Sequence, residues 1–221
     1  MKGKPILYGA LTLLLVLAGV FLFNLSKDKE DTIDSNQPKK TESTEESVEE
    51  SKLDEGVLMK IDDTDYTEED IEFMKYMQWI QIEKLEKEGN DMSEKKRTQN
   101  SNNVQLQNIA ELKMMASLAK EKGFGFDYDK VKKEKEVFLK KYNDTEMLKE
   151  AKESFGDDFD NRLHEYIEEK MMIARVVKEI EKDKKREFEN ITEDELRYEV
   201  ATEYQLLLED ERDDHSIVTR K

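Results

Sequence analysis

Residues 57–221 contain no proline, and this absence limits what most of the chain can fold into. Both prolines, Pro5 and Pro38, lie before this region. A long proline-free segment rich in Glu, Lys, Leu and Met favours helix almost throughout. Only 36% of residues are apolar, against 41% charged, so core material is sparse. We therefore predict an all-α fold, with one elongated helical domain over residues 56–209 and at most one short β-hairpin.

One uncharged stretch, residues 5–25, differs from the rest of the chain. As a helix it would be roughly 30 Å long, the thickness of a bilayer core. A short basic tail, residues 1–4, precedes it. The run is longer than the apolar part of a cleaved signal peptide, and its end has no small-x-small cleavage site. We predict an N-terminal transmembrane signal-anchor that contacts the lipid bilayer; the alternative is a cleaved signal with an atypical site.

The orientation of this anchor follows from weaker signals. Lys2 and Lys4 precede it and Lys27 and Lys29 follow it, so the positive-inside rule is tied. The very short N-terminal tail favours export of the rest of the chain. The absence of cysteine is typical of an exported bacterial protein. We expect a single-pass protein of the cell membrane with an extracytoplasmic soluble domain, as in a Gram-positive bacterium.

Charge and composition exclude several classes of partner. The Ser/Thr/Glu-rich residues 26–55 predict a disordered acidic tether. The chain carries 54 acidic and 37 basic residues, a net charge of −17, which repels nucleic acid at long range. With two histidines, no cysteine and no calcium-loop or phosphate-loop pattern, we expect no metal and no cofactor.

Turn and capping signals divide the helical region. The apolar run 57–61, followed by two aspartates and residues 64–66, predicts a short hairpin. Thr67 and Thr192 each begin a capping-box pattern, which predicts a helix start. The polar residues 89–103 predict a long loop or a frayed extension, and residues 210–221 predict a frayed polar tail. Gly123 and Gly156 each predict a helix end.

Four segments, taken in order, resemble a known family. They are the hairpin and capped helix start from Val57, the Leu112–Val131 run with its Lys-Gly-Phe-Gly-Phe-Asp centre, the long helix from Phe159, and Ile191-Thr-Glu-Asp-Glu-Leu-Arg-Tyr198. Their order and spacing resemble the N-terminal domains of the SurA and PrsA chaperones over about residues 57–204. The resemblance implies a helical, cradle-shaped domain that holds unfolded exported polypeptides.

The chain departs from the isomerase members of these families in one respect. In them a parvulin prolyl-isomerase domain follows the closing helix, whereas residues 205–221 are too few to hold one. We therefore expect a membrane-anchored extracytoplasmic chaperone-like protein that is not an enzyme, and no catalytic residue is carried over. Two alternatives stay open. One is a structural subunit docking a dedicated membrane or envelope partner, and the other is a divergent peptidyl-prolyl isomerase-related protein.

Methionines and aromatic residues provide the candidate client-binding surface. Methionine is flexible and polarisable, which suits a surface that adapts to many unfolded clients. Ordinary core filling is the alternative explanation for each of them. The predicted surface comprises Met74, Met77, Trp79, Met114, Met115, Phe124, Phe126 and Met171.

Overall fold

The structure, a computed structural model, describes residues 53–220. The predicted basic tail, the signal-anchor 5–25 and the tether as far as residue 52 lie outside the described residues. Within residues 53–220, no helix is long and apolar enough to cross a bilayer.

Helices dominate the described chain, which confirms the predicted helical class. The predicted hairpin is also present, and a third strand joins it. The elements are β1 Val57–Ile61, β2 Thr64–Thr67, α1 Glu68–Lys87, α2 Ser93–Gln99, α3 Asn102–Glu121, α4 Tyr128–Lys141, α5 Glu146–Phe155, a 3-10 turn Gly156–Asp158, α6 Phe159–Glu187, α7 Glu193–Asp214 and β3 Ile217–Thr219.

Local signals set most helix ends where the sequence predicts them. The Thr67 amide donates to the Asp70 carboxylate at 2.8 Å, and α1 begins at the next residue. Thr192 starts α7 in the same way, with its amide 2.9 Å from a Glu195 carboxylate oxygen. Gly156 ends α5 at φ 52 and ψ −127, a conformation that strains any residue with a Cβ.

The polar segment 89–103 is not the predicted loop, because α2 forms within it. Lys96 Nζ lies 2.5 Å from the Glu86 carboxylate, which ties α2 to α1. The fully buried Gln105 donates through Nε2 to the Gln99 carbonyl at 2.7 Å. These contacts come from neighbouring helices, and no apolar pattern within the segment signals them.

The predicted frayed tail, residues 210–221, is ordered over residues 210–220, so that prediction is wrong for the part of the tail that the structure describes. Helix α7 continues to Asp214, and β3 then pairs antiparallel with β1, giving the sheet order β2-β1-β3. Asp62, at φ 51 in the hairpin turn, accepts from the Ser216 amide at 2.9 Å and lies 2.6 Å from His215 Nδ1. This pairing joins the two ends of the described chain, and a three-residue strand is too short to show a pattern in sequence.

Replacement of His215 by alanine should loosen β3. The His215 side-chain hydrogen bond is the main cause that lowers the pKa of Asp62 below its ordinary value. A carboxyl with a lowered pKa adds stability above its unfolded pKa, and that stability is lost as the pH falls through the folded value. We expect amide exchange at Val218 to become about tenfold faster at neutral pH. Ser216→Ala is the control, because it keeps the hydrogen bond from the residue 216 amide to Asp62. Unchanged Val218 exchange in His215→Ala would contradict the prediction.

Helix α6 lies at the centre of the packing. It contacts α3, α4 and α7 along its length, while α1 packs against α3 and α5. Leu163 and Met172 of α6 and Met115 of α3 are fully buried where these helices meet. The same arrangement brings one end of α1, the middle of α3 and the first half of α6 around strand β2.

Candidate functional site

Five methionines of the predicted client surface lie in the core. Each is no more than 7% exposed, so the prediction that they form an exposed surface is wrong, although Met74 also lines the cavity between β2, α1, α3 and α6. Helix α1 is covered by β2, α3 and α5, and α3 is covered by α1, α6 and α7, so the wide apolar faces of both helices are core faces. The five are Met74, Met77, Met114, Met115 and Met171.

The three aromatic members of that set are half-buried and lie in two different environments. Trp79 lines a groove of about 300 Å³ together with Glu83, Lys96 and other residues of α1, α2 and α5. Phe124 and Phe126 lie beneath the Arg175 guanidinium, at 6.0 and 4.2 Å from their ring centres. The structure therefore does not combine the predicted residues into one binding surface.

A larger cavity opens between β2, α1, α3 and α6. Its volume is about 420 Å³, within the range of ligand-binding clefts. Four buried apolar side chains form its floor: Phe73, Met74, Ile109 and Leu112. Charged side chains from β2, α1, α3 and α6 form its rim, so the cavity is a cleft with an apolar floor and an ionic margin.

An ion-pair network with one buried member, Glu169, holds one side of the cleft. Lys113 Nζ lies 2.7 Å from a Glu165 carboxylate oxygen and 2.8 Å from one of Glu169. Glu169 is only 5% exposed, and its burial raises the pKa of that carboxyl despite the nearby lysine. Burial also disfavours the charged lysine, yet the two carboxylates together raise the Lys113 pKa above its ordinary value. The network links α3 to α6 with charged groups on both.

A second network fixes the start of α1 against α6. The Arg162 guanidinium lies 3.0 Å from Asp70, 3.1 Å from Glu69 and 2.5 Å from Asp158. Asp70 also caps α1 through the Thr67 amide, so one carboxylate serves both contacts. One arginine shared among three carboxylates leaves this side of the cleft with surplus negative charge.

Sequence reasoning missed the charged residues of the cleft. Arg162, Glu165 and Glu169 recur every three or four residues, which places them on one face of α6. That spacing was a usable signal for a charged helix face. Their partners, Lys113 and Asp70, come from distant parts of the chain, and only the packing of α1 and α3 against α6 brings them together.

The cleft is suited to binding. No group of three or more His, Asp or Glu side chains among residues 53–220 is arranged to hold a metal ion. The floor offers apolar contact, and the rim offers charge-assisted hydrogen bonds. Such a lining fits a ligand that carries both apolar and polar groups, such as a polypeptide segment.

Comparisons with known proteins assign neither a family nor a function to this chain. No protein-family model matches the chain, and neither the curated proteins nor the solved structures give a significant match. The chemistry of the cleft is therefore the basis for a functional proposal.

Proposed function

We propose that this protein is a membrane-anchored, extracytoplasmic, chaperone-like protein that binds unfolded or exported polypeptides without catalysis. The observation that supports this proposal is the open cleft with its apolar floor and ionic rim. The apolar run 5–25 and the resemblance to the SurA and PrsA N-terminal domains point in the same direction.

The lining matches what an unfolded chain exposes. Unfolded polypeptides present apolar side chains next to unpaired backbone amides and carbonyls. Phe73 and Leu112 on the floor offer contact to the side chains, and Asp65 and Glu165 on the rim offer hydrogen-bond acceptors. A cavity of about 420 Å³ holds a few side chains, so we expect weak binding of short segments.

The cleft is pre-formed. Five of its seven charged side chains are already held by ion pairs between helices, so less side-chain entropy is lost when a ligand binds.

The full-length chain, reconstituted in nanodiscs, should suppress aggregation of a reduced and chemically unfolded client protein, measured by light scattering. Thr64→Trp places a large side chain at the mouth of the cleft and should abolish most of the suppression. Thr219→Trp is the matched control, because Thr64 and Thr219 are both exposed and lie on edge strands of the same sheet.

Three outcomes would overturn the proposal. They are the absence of suppression by the unaltered protein, equal loss of suppression in both tryptophan variants, and proline-peptide isomerisation clearly above the uncatalysed rate. Capture of one stoichiometric folded partner, with no binding of unfolded clients, would instead favour a structural subunit.

A further inference from the structure

The edge of strand β2 that is not paired with β1 borders the cleft. Among the described residues, β2 pairs only with β1 and is an outer strand of the sheet. Three consecutive residues, Thr64, Asp65 and Tyr66, all line the cleft. Successive side chains of a strand point to opposite faces, so three in a row at one cavity indicate that the strand edge faces it.

The hydrogen bonds on the other side of β1 show which of its backbone groups face β3. The Asp62 amide donates to the Ser216 carbonyl at 2.8 Å, and the Arg220 amide donates to the Leu58 carbonyl at 2.9 Å. Backbone groups alternate in direction along a strand, so Lys60, which lies between Leu58 and Asp62, also faces β3.

This alternation leaves the backbone of Asp65 directed outward. Asp65 is opposite Lys60 in the β1–β2 ladder, and Lys60 directs its own groups to β3. The pair is therefore a non-hydrogen-bonded one, and the Asp65 N–H and C=O point away from β1, on the side of the cleft. No backbone partner within residues 53–220 takes up these two groups. The next outward amide, that of Thr67, is already bonded to Asp70.

We propose that the client polypeptide binds as an added strand on the β2 edge, with its backbone paired to Asp65. This inference rests on the proposed function and specifies its binding mode. A residue opposite Asp65 accepts from the N–H and donates to the C=O, forming one closely spaced pair of bonds. Alternate side chains of the added strand then enter the cleft and contact Phe73 and Leu112.

The charges of the cleft select the composition of that strand. Four carboxylates line it, against three cations. Lys113 and Lys120 balance Glu165 and Glu169, whereas the Arg162 guanidinium is shared by three carboxylates, so negative charge is left over on the Arg162 side of the cleft. The favoured client segment is therefore extended, with apolar side chains alternating with lysine or arginine.

The decisive measurement is peptide affinity of the full-length protein and its Asp65→Pro variant. The probe is a short fluorescent peptide of alternating leucine and lysine, followed by fluorescence anisotropy. Proline removes the outward N–H without removing a bond to β1, a position where edge strands accept it. We expect affinity to fall roughly tenfold, the effect of losing one hydrogen bond.

Two control variants separate backbone from side-chain effects. Asp65→Ala keeps the amide and should weaken binding of the leucine–lysine peptide without affecting a leucine–serine peptide. Thr219→Pro makes the same change on an outward, exposed position of β3, away from the cleft, and should bind like the unaltered protein.

A second measurement does not depend on how Asp65→Pro folds. Peptides methylated at one backbone nitrogen at a time should lose affinity for the unaltered protein at a single position. Uniform loss, or no loss, would overturn the strand pairing, as would unchanged affinity in a folded Asp65→Pro variant.

If suppression of aggregation persists in these cases, the proposed function stands and only the binding mode fails. If the unaltered protein neither binds peptide nor suppresses aggregation, the proposed function itself fails.

Discussion

Replacement of Lys113 by methionine should lower the free energy of unfolding by about 3 kcal/mol at neutral pH, because it leaves a buried carboxylate without its partner. Glu169 is 5% exposed and is paired with Lys113 at 2.8 Å. Methionine approximates the volume of the lysine stem, so the loss reports the charge rather than the packing. Chemical denaturation of the full-length chain, followed by circular dichroism, measures it.

The pH dependence of this variant has a defined sign. The pKa of Glu169 is raised by burial, and removal of Lys113 raises it further, because the lysine is the main group that lowers it. A carboxyl with a raised folded pKa binds protons more readily in the folded state, so stability falls as the pH rises above the unfolded pKa. Part of the loss should therefore be recovered between about pH 7 and about pH 5.

Two further variants isolate the buried pair. Lys113→Met combined with Glu169→Gln removes both charges and should restore much of the stability. Lys133→Met removes an exposed cation of α4, away from the network, and should cost less than about 0.5 kcal/mol. Equal destabilisation by Lys113→Met and Lys133→Met, or no recovery at lower pH, would contradict the assigned role of the network.

Met115→Ala should destabilise the domain by about 2 to 5 kcal/mol, the cost of a cavity in a close-packed core. The Met115 side chain is fully buried between α3 and its neighbouring helices. Met115→Leu conserves the volume and should cost less than about 1.5 kcal/mol. Thermal unfolding monitored by circular dichroism distinguishes these outcomes.

The methionine variants also test the corrected position of the client surface. Met147→Ala, in the half-exposed groove beside Trp79, is the matched control and should cost far less than Met115→Ala. Below its unfolding temperature, Met115→Leu should bind clients like the unaltered protein. Loss of client binding in a stable Met115→Leu variant would contradict the core assignment.

Features that depend on contacts within a few residues could be predicted from the sequence, and features that depend on contacts between helices could not. Helix starts at Thr67 and Thr192 depend on contacts three residues apart, and the ends at Gly123 and Gly156 depend on one residue's backbone freedom. Those positions could be predicted. Helix α2 could not, because its support comes from Glu86 on another helix.

The candidate functional residues also divide into those that the sequence could indicate and those that only the packing brings together. A wide apolar stripe containing Met74 and Met77 on α1, or Met114 and Met115 on α3, is equally compatible with an exposed groove and with a core. The choice depends on how many helices cover the stripe, which is a property of the whole packing. The charged cleft residues of α6 have helical spacing, but their partners on α1 and α3 are distant in sequence.

The sequence alone determined the helical class, the hairpin and most helix boundaries, because capping, glycine conformations and the lack of proline act within a few residues. Only the tertiary structure decided that the five methionines of the predicted client surface are buried, that Ile217–Thr219 completes the sheet and that the edge of β2 opens onto a cleft. These features depend on contacts between residues far apart in the chain, such as Asp62 with Ser216 and Lys113 with Glu169. Such contacts form only when the other helices pack against α6.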